Sequence, residues 1–154
     1  MLIDSFLDYL RLERNYSERT IVSYGIDLRE FEDYLKETEA GLEITIAHAD
    51  HVRGWIVSLM DAGRAEASVN RKLSSLRSFY RFLLKKKRIT VNPMAKIAGL
   101  KKKKPLPSFV REKDMNRLLD EMPFSEGFEG CRDRMVLEMF YATGMRLSEL
   151  IGLN

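Results

Sequence analysis

The chain has 154 residues, of which 45% are apolar and 32% charged, with a net charge of +3. One cysteine, Cys131, excludes a disulfide framework and a cysteine-rich zinc site. No apolar run approaches the ~20 residues needed to span a membrane, and the early acid in Met1-Leu2-Ile3-Asp4 does not suit a secretory leader. The expectation is a soluble, cytoplasmic protein.

Helical spacing dominates. Residues 2–13 place Ile3, Phe6, Leu7 and Leu10 on one face. Ser17 suits an N-cap, with Glu18 in the first turn of a helix running to about Lys36. Its stripe is Ile21, Tyr24, Leu28, Phe31 and Leu35, the three-four alternation of an amphipathic helix. Thr38 to Ile46 contains Gly41 and reads as a loop. A third helix, from about Ala49 to Met60, carries Val52, Trp55, Ile56 and Leu59, and Gly63 follows its end.

Ser68 is the expected cap of a fourth helix reaching about Lys86. Val69, Leu73, Leu76, Tyr80 and Leu83 form its apolar stripe. The rest of its surface carries Asn70, Arg71, Lys72, Ser74, Arg77, Ser78, Arg81 and Lys85, followed by Lys86 and Lys87. The charge along the chain is segregated around it. Residues 1–67 hold 7 basic and 14 acidic side chains, residues 68–111 hold 14 basic and none acidic, and residues 112–154 hold 5 basic and 9 acidic. Such segregation is the electrostatic footprint of a polyanionic partner, with nucleic acid first. Arg and Asn suit base edges in a major groove, and Ser and Lys suit phosphates. A solvated basic face, or one meeting an acidic protein, is the alternative.

Residues 88–107 read as an interdomain linker with one helical turn near Met94–Ile97. They include Asn92-Pro93 and the run Lys101, Lys102, Lys103 and Lys104, which ends in Pro105-Leu106-Pro107. A second composition follows: a helix over Glu112 to Glu121, a loop from Pro123 to Gly130, a helix over Arg132 to Tyr141, a break at Thr143-Gly144, and a last helical stretch opened by Arg146. The fold class is all-α. Tyr141 and the methionines read as core, Cys131 as structural, and His48 and His51 as ordinary helix residues without a third metal ligand. The last apolar residues have little to pack against, which suits a piece of a larger domain.

The segment Ala142-Thr143-Gly144-Met145-Arg146-Leu147-Ser148-Glu149-Leu150 resembles the first arginine motif of the tyrosine recombinases. Residues 68–80, Asn92-Pro93 and Leu106-Pro107 are similar to their core-binding domain and interdomain positions, especially in the Xer-type branch. The resemblance covers essentially the whole chain. It implies a four-helix, SAM-like core-binding domain over 1–87 that clamps duplex DNA, a basic linker over 88–107, and the N-terminal part of a mainly helical catalytic domain over 108–154. It also implies site-specific strand exchange through a phosphotyrosyl intermediate, with no cofactor and no metal. Arg146 would hold the scissile phosphate as the first catalytic arginine, and Glu149, one turn on, would orient it or an active-site neighbour; a helix-start arginine paired with Glu149 on the surface is the alternative. The family's later histidine–arginine pair and tyrosine nucleophile have no match here, so the chain alone is expected to bind without cleaving, as a monomer when free and within a tetramer on paired sites in the full-length protein. A short DNA-binding relative without catalysis and a helical protein-interaction domain remain as alternatives.

Overall fold

The computed structural model describes residues 2–38, 41–101 and 108–153. Among them the secondary structure is entirely helical. The chain divides into two compact units, Met1–Lys104 and Pro105–Asn154.

Four helices build the first unit: α1 (Leu2–Leu12), α2 (Glu18–Thr38), α3 (Ala49–Asp61) and α4 (Glu66–Lys85). Their apolar stripes converge because each places hydrophobic residues three or four apart on one side. α4 packs against each of the other three and buries Val69, Leu73, Leu76, Phe79, Tyr80, Phe82 and Leu83. Phe6 of α1 meets Phe79 edge-on with ring centroids 5.3 Å apart, and Phe31 of α2 lies 4.9 Å from Trp55 of α3, separations at which aromatic pairs add to simple burial. The buried Tyr80 hydroxyl donates to the Ile44 carbonyl at 2.8 Å, which ties the α2–α3 loop to α4. Burial raises the Tyr80 phenol well above its ordinary range.

Of two helix starts, one is as expected and one differs. α2 begins at Glu18 after Ser17, whose Oγ accepts from the Thr20 amide at 3.4 Å. α4 begins earlier than expected, after Ala65 rather than Ser68: Ala65 has extended backbone and its carbonyl accepts from the Ser68 and Val69 amides. Ser68 therefore lies inside the first turn.

The segment read as linker is not free of the first unit. Met94 and Ile97 are buried in its core, and Ile89 and Leu100 pack against it. Asn92 forms a turn by accepting from the Met94 amide through Oδ1 at 2.9 Å. Residues 89–100 form a strap that returns along α4. Lys102 to Pro107 lie outside the described residues.

The second unit holds α5 (Glu112–Glu121), α6 (Phe128–Thr143) and α7 (Leu147–Ile151). α6 starts four residues before the expected Arg132. Gly144, at φ +64°, stops α6 in the left-handed region that favours glycine, and its amide donates to the Phe140 carbonyl at 2.9 Å. Among the described residues of this unit only Gly130 is buried. Tyr141, expected in a core, is exposed, as are Phe128, Met135, Leu147 and Ile151. Cys131 is exposed too. Of the described methionines only Met94 is buried, so these residues are not general core filler. No described helix is long and apolar enough to cross a membrane.

Candidate nucleic-acid interface

An α-helix advances 100° per residue. Around α4 the predicted polar residues then follow in the order Arg71, Ser78, Lys85, Ser74, Arg81, Asn70 and Arg77, within an arc of about 120°. The structure occupies both edges of that arc and leaves its centre open.

On one edge the carboxylate of Asp27, on α2, is fully buried. Arg71 Nη1 and Nη2 donate to its two oxygens at 2.6 and 2.9 Å, an end-on bidentate pair. Lys72 Nζ donates to Asp27 at 3.2 Å and also to Glu30. The Lys72 side chain is only 7% exposed. Its assignment as a DNA contact is therefore corrected: it points into α2, because a buried carboxylate needs a compensating charge. Arg71 remains 48% exposed, with its outer fork directed inward.

On the other edge lies the strap. Asn70 donates through Nδ2 to the Leu100 carbonyl at 3.0 Å and accepts from the Leu100 amide through Oδ1 at 2.9 Å. Gly99 permits this approach, since a Cβ there would sit 2.8 Å from Asn70 Oδ1. Arg77 Nη2 donates to the Ile97 carbonyl at 3.1 Å. Asn70 and Arg77, expected on the outward polar face, are half-buried, and these bonds hold the strap to α4.

The strip between these edges consists of the exposed Ser74, Arg81 and Lys85 and the half-buried Ser78. Ser74 donates back to the Asn70 carbonyl at 2.9 Å. Arg81 is exposed and makes no side-chain hydrogen bond or ion pair among the described residues. Lys85 Nζ lies 5.3 Å from the Tyr9 ring centroid. Lys86 lies over Phe82 and 3.9 Å from Glu13. Beyond α4, Lys87 adopts φ +54°. The amides of Lys87 and Arg88 donate to the Leu84 and Leu83 carbonyls, which closes the helix end and turns the chain. Lys101 is exposed; Lys102, Lys103 and Lys104 lie outside the described residues. Arg88 and Lys96 are exposed cations that the sequence reading did not single out, although the acid-free stretch contains both. Asp27 was also missed. Its signal was a carboxylate placed between Tyr24 and Leu28 on the apolar face of α2.

The arginine motif forms a separate local structure in the second unit. Arg146 precedes α7, its backbone amide donates to Glu149 Oε2 at 2.8 Å, and its Nη1 donates to Oε1 at 3.0 Å. Glu149 thus performs the returning half of a capping box. Thr143 Oγ1 accepts from the Met145 amide at 3.2 Å, fixing the bend before it. The Arg146 side chain is 81% exposed. In the first unit, His51 Nδ1 accepts from the His48 amide at 2.8 Å, and no group among the described residues is arranged to hold a metal ion.

Residues 3–87 match the model of the phage integrase N-terminal SAM-like domain. The match covers more than half of the chain and coincides with the four-helix unit, and the chain belongs to this family. Relatives sharpen the likeness toward the Xer-type tyrosine recombinases. The chain is 38% identical over 152 residues to tyrosine recombinase XerC of Halalkalibacterium halodurans, covering 99% of this chain and 50% of that protein. It is 41% identical over 153 residues to tyrosine recombinase XerD of Shewanella oneidensis, again 99% of this chain and 50% of the relative. XerC of Bacillus subtilis is 36% identical over 149 residues, 97% of this chain and 48% of the relative. The chain thus spans about half the length of the curated relatives it matches.

Proposed function

We propose that this chain provides the duplex-DNA-binding part and the first arginine segment of a Xer-like, site-specific tyrosine recombinase. The observation that carries the reading is the strip Ser74–Ser78–Arg81–Lys85. It lies on the helix that organises the core, within an acid-free sequence, and it continues into Lys86, Lys87 and Arg88. A rigid helix with an open polar strip suits a major groove, and the following cations suit the phosphates beside it. DNA binding by Arg71 is proposed through its exposed edge only.

Arg146 is proposed as the catalytic arginine. A planar guanidinium on non-bridging phosphate oxygens stabilises charge that grows in the transition state. Glu149 is its positioning partner, holding both the Arg146 amide and the guanidinium. The chain supplies one arginine and one carboxylate of such a site, so the activity assigned to it alone is binding, as a monomer. Tetramer assembly on paired sites and a cytoplasmic setting belong to the same proposal.

Titration of labelled duplex DNA with the chain at several salt concentrations tests the reading. With four or five cations on phosphate, log affinity should fall against log salt with a slope of about −4, from about −0.9 per contact. A flat salt response, or no binding at low salt, overturns it.

A further inference from the structure

Three arginines lie on the polar arc of α4, and the structure gives them unequal freedom. Reading a guanine in a major groove takes two parallel N–H groups directed at O6 and N7, on a side chain extended from the helix. The Arg71 outer fork is filled by Asp27, whose full burial turns the guanidinium toward α2. Arg77 is bent onto the Ile97 carbonyl under the strap. Arg81 alone keeps all five donors, and its strip neighbours toward the helix start, Ser78 and Ser74, are short. Short side chains let the helix axis approach the bases, so an arginine beside them reaches the groove floor.

We infer that Arg81 is the specificity-determining arginine of this unit and pairs bidentately with a guanine, while Arg71 and Arg77 shape the surface around it without reading sequence. This inference rests on the DNA-binding reading and adds to it which side chain carries base choice. A lysine at position 81 retains the charge and loses the planar fork, which separates base readout from phosphate attraction.

The experiment is selection of duplexes from a randomised pool by the chain, followed by affinity and salt titrations on the enriched site and on the same site with its preferred G·C pair replaced. The wild-type chain should discriminate by roughly five- to a hundred-fold, the span of one good bidentate contact. Arg81→Ala should reduce that ratio to about one, and Arg81→Lys should reduce it while keeping the salt slope. Arg71→Ala and Arg77→Ala, with helicity checked by circular dichroism, should keep the ratio; Arg71→Lys and Arg77→Lys serve if either alanine variant unfolds. A preference that survives Arg81→Ala, or that is undiminished in Arg81→Lys, or that disappears in a folded variant at 71 or 77, overturns the inference. Salt-dependent binding with no base preference in the wild-type chain also overturns it and leaves the DNA-binding reading standing. Absence of salt-dependent binding overturns that reading itself.

Discussion

Asn70 and Leu100 exchange two hydrogen bonds across thirty residues of chain, the side-chain amide of one pairing with the backbone of the other at 3.0 and 2.9 Å. An asparagine used in this way replaces a neighbouring strand's peptide group. It holds the strap on α4 where no regular secondary structure is available to do so.

Asn70→Ala should therefore destabilise the first unit by about 2 kcal/mol, since two part-buried hydrogen bonds each contribute about 1 kcal/mol and their partners are left unpaired. Gly99→Ala should act in the same direction, because its Cβ meets Asn70 Oδ1 at 2.8 Å. Urea unfolding measures both, and the Leu100 amide should lose hydrogen-exchange protection in each variant. Retained protection at Leu100 in Asn70→Ala shows that the pair does not hold the strap.

Removing one member of the buried ion cluster should cost more than removing its charges together. Asp27→Ala leaves Lys72 buried with Glu30 as its remaining partner, at a cost of about 3 kcal/mol. The double variant Asp27→Leu/Lys72→Met should recover most of that loss, since apolar residues need no compensating charge. Denaturant midpoints of the wild type, the single and the double variant decide the matter; additive losses count against a cluster held by mutual charge.

The Tyr80 phenol gives a pH signature. Burial raises it above its ordinary value near 10, so the folded state retains the proton where the unfolded chain has released it. Its contribution to stability is complete below pH 10 and declines as the pH rises above that value toward the folded-state pKa. Tyr80→Phe should lose about 1 kcal/mol at neutral pH with the bond to Ile44. It should also show a shallower decline above pH 10 than the wild type. Parallel alkaline stability curves for the two proteins contradict this account.

The two units should differ in local stability. The second buries no large apolar side chain among its described residues, and few apolar contacts leave a helix close to local unfolding. Amides of α5 and α6 should exchange roughly two orders of magnitude faster than those of Leu76 and Phe79 in α4. Arg146→Ala, which removes an exposed ion pair, should leave the thermal midpoint of the chain unchanged. Comparable protection in α4 and α6 counts against the first expectation, and a lowered midpoint against the second.

The helices were legible because their stripes are local. Ile21 to Leu35 and Val69 to Leu83 repeat at helical spacing, and both stripes are buried, with Tyr24 only partly so. Boundaries were less legible where the cap carries no side-chain acceptor, as at Ala65 and at Gly127 before α6. The candidate site was legible as a composition and not as a surface. Spacing tells which α4 residues face away from the core; it does not tell what approaches them. Asp27 lies 44 residues from Arg71 and Leu100 lies 30 from Asn70. Those pairings decide which of the polar residues remain open, and they arise only when α2 and the strap are packed.

The strap also separates an origin from an exit. The chain leaves α4 at Lys85 and, by Leu100, has returned to Asn70, fifteen helical residues back, or about 22 Å along the axis. Arg88 and Lys101 are thirteen residues apart in sequence, yet the cations at 85–88 and Lys101 sit at opposite ends of the helix. Lys101 is held beside the first turns of α4, so a turn inserted near Lys85 would displace the cations at 85–88 and leave Lys101 in place.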